Sequence, residues 1–115
     1  MNISIITFTE NGTKLAEKIR QAFVNTKMEE AKNLGISLSD WTRQQFAEKN
    51  AIVVIGACGI AVRMIAPFVS DKLSDSPVVV ADEAGTFVIP LLSGHMGGAN
   101  ELAEQIAGQI GGIPV

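Results

Sequence analysis

The pattern of apolar and polar positions divides the chain into short apolar runs and longer periodic segments. Unbroken apolar runs are typical of strands that a parallel sheet buries on both faces. The clearest run is 51–55, and the run at 2–8 is expected to lie near the centre of the sheet. Two further runs, at 77–82 and 86–90, are joined by a short turn that contains glycine, which predicts a β-hairpin near residues 77–90. Pro90 indicates that the second run is an edge strand or ends there.

Apolar residues recur every three or four positions in three other segments, which predicts helices at about 13–24, 39–49 and 98–110. Short polar side chains stand near the first two helix starts, where they can accept hydrogen bonds from unpaired backbone N–H groups. The candidate caps are Asn11 or Thr13 for the first helix and Ser39 or Asp40 for the second.

A further helix is predicted from Cys58 or Gly59 to about Ile65, apolar nearly all round except for Arg63. It ends before Pro67, because the residue that precedes a proline disfavours the helical conformation. The polar stretch 27–36 fits a short edge strand or a loop equally well. Strands that alternate with helices favour an α/β fold, a three-layer α/β/α sandwich with a mostly parallel sheet.

Composition and charge narrow the class of protein. The 115 residues, 47% of them hydrophobic, suffice for one domain, 1–115. A net charge of −3 without any basic run argues against a nucleic-acid partner. A single cysteine suits a reducing cytoplasm, and neither a signal peptide nor a run long enough for a membrane span is evident. The closing residues 111–115 resemble a helix stop and the start of a strand, so the domain is expected to come from a longer chain.

Two turns rich in glycine carry the candidate chemistry, and each lies between an apolar run and a helix. Glycine allows backbone N–H groups to approach a ligand, and a helix start adds partial positive charge. The first turn lacks both the Lys-Ser/Thr of a P-loop and the GxGxxG spacing, so a tight strand-to-helix connection is the alternative. If both turns lie at the carboxyl ends of the strands, they line one crevice that holds an anionic molecule. The first turn is Gly56-Ala57-Cys58-Gly59-Ile60-Ala61-Val62-Arg63, and the second turn is Ser93-Gly94-His95-Met96-Gly97-Gly98-Ala99-Asn100-Glu101.

Arg63 is the only charged residue between Ala51 and Val69. An arginine in such surroundings needs a carboxylate. One hypothesis is that it clamps a substrate carboxylate; the alternative is a structural pair with Asp82 or Glu83.

His95 is the only histidine of the chain and is flanked by glycines. It is the first candidate for acid/base work, with a solvated loop residue as the alternative. Asp82 and Glu101 are further candidates, although Asp82 can cap its own turn and Glu101 can simply favour a helix start. Ser93 is expected to be a ligand contact or a cap rather than a nucleophile. Cys58 could be merely a small packed residue.

These segments together resemble the cobalamin biosynthesis protein G family, the cobalt-precorrin-5A hydrolases. The ordered string covers roughly the last two-thirds of the chain, and it is specific as a whole although each piece is weak. Beyond the two turns it includes Ile65-Ala66-Pro67, Asp71-Lys72-Leu73 with Asp75 and Pro77, Asp82-Glu83-Ala84-Gly85, and Phe87 to Leu92.

The resemblance implies cobalamin biosynthesis by the anaerobic route. The family opens the δ-lactone ring of cobalt-precorrin-5A, releases acetaldehyde and gives cobalt-precorrin-5B. It implies a cobalt-containing tetrapyrrole as the partner, no cofactor besides the cobalt that the substrate carries, and a C-terminal domain that this chain lacks. The rival hypothesis is a non-catalytic module that binds an anion or a nucleotide. The oligomeric state is left open, with a homodimer as one candidate.

A substrate edged with carboxylates suits the two turns, whose N–H groups and Arg63 can offset negative charge. Lactone opening needs water, a base and a donor pair at the carbonyl oxygen. His95 is expected to activate water or protonate the leaving oxygen, with axial contact to the substrate's cobalt as the alternative. The donor pair is expected from Gly97 and Gly98 or from Cys58 and Gly59. The expected substrate contacts are Gly56, Cys58, Gly59, Arg63, Ser93, Gly94, Gly97, Gly98 and Asn100.

Overall fold

The computed structural model describes residues 1–95 and 97–115. Over these residues the chain forms one six-stranded sheet in the order β2-β1-β3-β4-β5-β6, with helices on both faces. The strands are β1 (Ile3–Thr7), β2 (Thr26–Glu30), β3 (Ala51–Ile55), β4 (Val78–Ala81), β5 (Phe87–Leu92) and β6 (Ile113–Pro114). The helices are α1 (Glu10–Ala22), α2 (Leu38–Glu48), α3 (Cys58–Ile65) and α4 (Ala99–Ile110), with short 3₁₀ segments at Ala31–Asn33 and Ala66–Phe68.

Two separate apolar cores lie on the two faces of the sheet. Alternate residues of each central strand point to opposite faces, so Val53 faces one core and Val54 the other. Leu15 and Ile19 of α1 pack with the apolar stripe of α4 on the first face. On the second face, α2 and α3 contribute Trp41, Ala61, Met64 and Ile65. The predicted three-layer α/β/α sandwich is therefore confirmed.

The strand directions determine which loops can meet. Strands β2, β1, β3 and β4 are mutually parallel, whereas β5 runs antiparallel to β4 and β6 runs parallel to β5. We call the end of the sheet where β1 to β4 finish the carboxyl edge, and the opposite end the amino edge. The carboxyl edge therefore carries the starts of α1 and α3, while β5 finishes, and α4 starts, at the amino edge.

The carboxyl edge has a topological switch point between β1 and β3. The chain leaves β1 toward β2 on one side and leaves β3 toward β4 on the other, so the connections diverge between these two neighbours. Open α/β sheets bind ligands at such a divergence. The loops that flank it are Phe8-Thr9 after β1 and Gly56-Ala57 after β3.

The hairpin predicted near residues 77–90 is confirmed as the antiparallel pair β4–β5. Strand β5 continues past Pro90 to Leu92, and the register shifts between Val78 and Val79. Since β6 pairs only with Phe87 and Val88, the missing N–H of Pro90 faces an unpaired part of the edge. The stretch that the sequence left open contains most of edge strand β2, followed by the 3₁₀ turn.

The expected helix caps were wrong. Helix α1 begins three residues earlier than the pattern suggested, because Thr9 caps it through a hydrogen bond from the N–H of Gly12 to Oγ1 (2.9 Å). Helix α2 is capped by Ser37, whose Oγ accepts from the N–H of Asp40 at 2.9 Å. In both cases the hydroxyl stands just before the first periodic turn, and the more central polar residues lie inside the helix.

Candidate functional site

The start of α3 presents unpaired backbone donors at the carboxyl edge. Its N-cap residue, Ala57, has no side-chain acceptor, and the first backbone bond inside the helix runs from the N–H of Ala61 to the carbonyl of Ala57. Within the described residues, the N–H groups of Cys58, Gly59 and Ile60 therefore have no hydrogen-bond partner. Cys58 and Gly59 are exposed. A helix start with free donors and its dipole pointing outward favours an anion.

Arg63 adds a full positive charge to this helix start. Its side chain runs back toward the beginning of α3, and Nη1 lies 3.5 Å from the place that a Cβ on Gly59 would occupy. Among the described residues no carboxylate forms an ion pair with it, so the structural pair with Asp82 or Glu83 is not formed. An exposed, unpaired guanidinium beside free N–H groups is available to a carboxylate.

Phe8 and Thr9 at the end of β1 complete this edge, and the sequence analysis missed both. A Cβ on Gly56 would lie 3.4 Å from Cδ2 of Phe8, so the aromatic ring covers one side of the glycine turn. The hydroxyl of Thr9 donates to Oε2 of Glu83 while it caps α1. Their position in the sequence could have predicted this placement: if β1 and β3 are parallel neighbours, the residues that follow both strands lie at one edge of the sheet.

Asp82 lies at the carboxyl edge but is engaged in its own turn. Its carboxylate accepts hydrogen bonds from the N–H groups of Phe87 (2.6 Å) and Thr86 (3.3 Å). Burial alone would raise the pKa of Asp82, but the backbone hydrogen bonds outweigh it and lower the pKa below the ordinary 3.8. A carboxylate with a lowered pKa and two backbone donors is a poor general base. The geometry gives Asp82 the capping role.

The second turn is tightly wound on itself. Ser93 has a positive φ of 56°, and the hydroxyl donates to the carbonyl of Asp75 at 3.1 Å. A Cβ on Gly97 would lie 2.8 Å from the Ser93 carbonyl oxygen, and one on Gly94 would lie 2.5 Å from Oδ1 of Asn100. Close packing within the turn therefore requires Gly97, which meets backbone, whereas Gly94 meets only the end of the exposed Asn100 side chain. Met96, inside the same turn, lies outside the described residues.

Carbonyl groups of the turn also accept hydrogen bonds from backbone N–H groups at the start of α4. The N–H of Ala99 donates to the carbonyl of Ser93 (3.1 Å), and the N–H of Asn100 donates to that of Gly94 (2.9 Å). Two donors that an anion would need are thus already paired. His95 and Glu101 are exposed at this amino edge.

The expectation that both glycine turns line one crevice was wrong. The first turn follows a parallel strand and lies at the carboxyl edge, but β5 is antiparallel, so the second turn lies at the amino edge. The length of a five-residue strand, about 16 Å at 3.3 Å per residue, separates the two edges. The structure brings Gly56, Cys58, Gly59 and Arg63 together. These residues do not lie near His95. Asp82, at the carboxyl edge, is likewise separated from His95 and Glu101, which lie at the amino edge.

The larger surface cavities lie away from the first turn. One of about 440 Å³, between the amino ends of β1 and β2, is lined mainly by polar side chains such as Lys27, Glu48 and Asn50. Two others have volumes of about 380 and 340 Å³, and a smaller one of about 260 Å³ reaches Gly98 and Glu101 of the amino edge. The first turn, in contrast, lies on exposed surface at Cys58 and Gly59.

The fold and the first turn define a class: a doubly wound α/β domain with a helix start at the divergence of its strands that no side chain caps. The sequence pattern described as "Cobalamin synthesis G N-terminal" matches residues 40–115, and the chain belongs to this family. No helix of the described residues is both long enough and apolar enough to cross a membrane.

Named relatives agree with the family. The chain is 41% identical to the cobalt-precorrin-5A hydrolase of Salmonella typhimurium over 99% of its own length and 34% of that enzyme. It is 31% identical to the cobalt-precorrin-5A hydrolase of Priestia megaterium over 97% of its length and 33% of that enzyme. A cobalamin biosynthesis protein G homologue from Sulfolobus solfataricus superposes with a TM-score of 0.78 at 25% identity, over 99% of this chain and 36% of the other. The chain therefore spans about a third of the length of these relatives.

Proposed function

We propose that this chain is the substrate-binding part of a cobalt-precorrin-5A hydrolase, and that it holds a carboxylate of the substrate at the carboxyl edge. One observation carries the assignment: the unpaired N–H groups at the start of α3 lie beside the unpaired guanidinium of Arg63. A tetrapyrrole edged with carboxylates supplies the matching charge. Cys58, Gly59 and Arg63 are the proposed contacts, and Gly56 lies beside the ring of Phe8 at the same edge.

The reaction we propose for the complete enzyme is the opening of the δ-lactone of cobalt-precorrin-5A with release of acetaldehyde. Lactone opening needs a water, a base and stabilised charge at the carbonyl oxygen. At the carboxyl edge the described residues supply donors, whereas the carboxylate of Asp82 is occupied by backbone donors. We therefore assign binding and orientation to this chain and place the proton transfer on the remainder of the hydrolase. The exposed single thiol Cys58 agrees with a reducing cytoplasm as the compartment.

A second candidate places the substrate at the amino edge, where His95 would act on it. The cavity that reaches Gly98 and Glu101 favours this alternative. The paired N–H groups of Ala99 and Asn100 argue against it, since they leave fewer donors for a carboxylate.

Titration calorimetry of the chain with cobalt-precorrin-5A separates the two edges. Arg63→Gln is expected to weaken binding about 10- to 150-fold, the value of a charge-assisted hydrogen bond of about 1.5–3 kcal/mol. His95→Ala is expected to leave the dissociation constant unchanged. Arg20→Gln, which removes an exposed arginine of α1, is the matched control and should bind normally.

Loss of binding in His95→Ala with normal binding in Arg63→Gln would move the site to the amino edge. Binding of ATP in place of the precorrin would support the nucleotide module instead. Catalysis is tested separately, by measuring acetaldehyde. The chain alone is expected to give none, whereas a Salmonella hydrolase in which this chain replaces the matching third is expected to give it.

A further inference from the structure

The outer face of α3 differs from the outer faces of the other three helices. Helices α1, α2 and α4 present charged and amide side chains to solvent, as amphipathic surface helices do. Helix α3 and the residue that follows it present Cys58, Val62 and Ala66, which recur every four residues along the exposed side, and Arg63 is the only charge of the helix. On the other helices the exposed charged residues include Lys14, Lys18 and Arg20 (α1), Asp40, Arg43 and Glu48 (α2), and Glu101 and Glu104 (α4).

The apolar surface continues beyond the end of the helix. Val62 is 49% exposed and Val69 is 44% exposed, and Pro67 between them is also exposed. We call the exposed residues Cys58, Val62, Ala66, Pro67 and Val69 the α3 face. A helix that is apolar nearly all round belongs in an interior. Contiguous exposed apolar surface of this kind marks a contact with another polypeptide.

We propose that the α3 face is the docking surface for the rest of the cobalt-precorrin-5A hydrolase, the part beyond the third that this chain matches. The argument for this occupant is length: the chain spans 34% and 33% of the two hydrolases to which it was compared. In these hydrolases about two-thirds of the chain is therefore covalently joined to the matching third and available to pack on it. The proposal rests on family membership and does not require the domain to bind substrate.

The position of the α3 face favours it over the other exposed apolar residues. The other group of exposed apolar residues, Phe87 (47% exposed), Ile113 (55%) and Val115 (69%), lies at the β5–β6 edge of the sheet, and β6 is three strands away from β3 in the sheet order. The α3 face instead begins at Cys58, within the candidate site. If the rest of the hydrolase packs on the α3 face, it forms one side of that site. Ligand sites commonly lie between two domains.

Cys58 makes the proposal measurable, because it is the only cysteine of the chain and is exposed. The experiment compares the rate at which a small maleimide labels Cys58 in the isolated chain and in the Salmonella hydrolase carrying this chain as its matching third. Peptide mass spectrometry identifies the labelled cysteine. Labelling is expected to be about tenfold slower or more in the longer protein, because the thiol becomes accessible only when the contact opens.

Val62→Glu is expected to restore fast labelling in the longer protein, since it places a charge in the apolar contact. The matched control is Val24→Glu, which adds the same charge at a residue 84% exposed at the amino edge and should leave Cys58 protected. If the chimaera is not recovered folded, the same measurement is made in the Salmonella enzyme itself, at the positions aligned with Cys58 and Val62.

Three results would overturn the proposal. The first is equal labelling rates in the short and long proteins. The second is loss of protection in Ile113→Glu but not in Val62→Glu, which would assign docking to the β6 edge. The third is concentration-dependent protection of Cys58 in the isolated chain, with sedimentation as a dimer, which would assign the face to a second copy.

Discussion

Arg63 reaches back one helical turn to lie over Gly59: its Nη1 is 3.5 Å from the position of a Cβ on that glycine. Helical side chains tilt toward the helix N-terminus, so an arginine at the fourth position after Gly59 naturally delivers its charge to the helix start. The glycine is not required by the backbone, since it has no positive φ. The substrate contact proposed above would account for its lack of a side chain.

Gly59→Ala tests that explanation because it separates stability from binding. Alanine in the first turn should raise the free energy of unfolding by about 0.5–1 kcal/mol, measured by urea denaturation. The same methyl group should weaken cobalt-precorrin-5A binding, because it occupies the space above the free N–H groups.

Gly108→Ala is the matched control for that prediction. Gly108 lies in α4 with open space around its Cα and no positive φ, so alanine should stabilise the fold similarly and leave binding unchanged. Unaltered binding in Gly59→Ala would mean that no ligand approaches the start of α3.

The sequence predicted the elements well and their spatial relationship poorly. Buried runs such as 51–55 have one stable placement, between two helical layers, so the three-layer sandwich followed from hydrophobicity alone. Whether the strand before Ser93 runs parallel or antiparallel depends on the tight turn after Asp82, and the hairpin was in fact predicted. An antiparallel β5 places Ser93 at the opposite edge, so the predicted hairpin is incompatible with the predicted shared crevice. Contacts such as Thr9 with Glu83, 74 residues apart, leave no local pattern.

Gly97→Ala is expected to destabilise the fold by about 2 kcal/mol, as forced backbone displacement does. The added methyl would lie 2.5 Å from the Ser93 Cβ and 2.8 Å from its carbonyl oxygen, and neither atom can move without the turn. Gly94→Ala should cost less, because its close neighbour is the end of the exposed Asn100 side chain. Thermal unfolding of both variants checks the order. Equal and negligible losses would show that these glycines are kept for a ligand and not for packing.

Glu83→Gln is expected to strengthen cobalt-precorrin-5A binding. The carboxylate of Glu83 contacts Thr9 at the carboxyl edge, where it repels an anionic ligand, whereas glutamine keeps an acceptor for the Thr9 hydroxyl. The gain should be about 1.5- to 5-fold, the range for an exposed charge pair, and should shrink as salt is raised. Glu48→Gln, near the amino edge, is the control and should not change affinity. If Glu48→Gln increases the affinity as much as Glu83→Gln does, the effect comes from the net charge of the chain and not from the position of Glu83.

The carboxylate of Asp82 is expected to make the stability of the fold sensitive to acid. Backbone hydrogen bonds from Phe87 and Thr86 outweigh the effect of burial and lower the pKa of Asp82 in the folded chain, so its charged form stabilises the fold. A lowered folded pKa gives stability that is fully present above the unfolded value of about 3.9 and is lost as the pH falls through the folded pKa. Asp82→Asn should therefore cost about 0.5–1 kcal/mol at pH 7, a value reduced by solvent exposure, and progressively less below pH 4. Urea unfolding at pH 7, 5 and 3 measures both proteins. A difference that stays constant down to pH 3 would mean that Asp82 holds the β4–β5 turn by shape and not by charge.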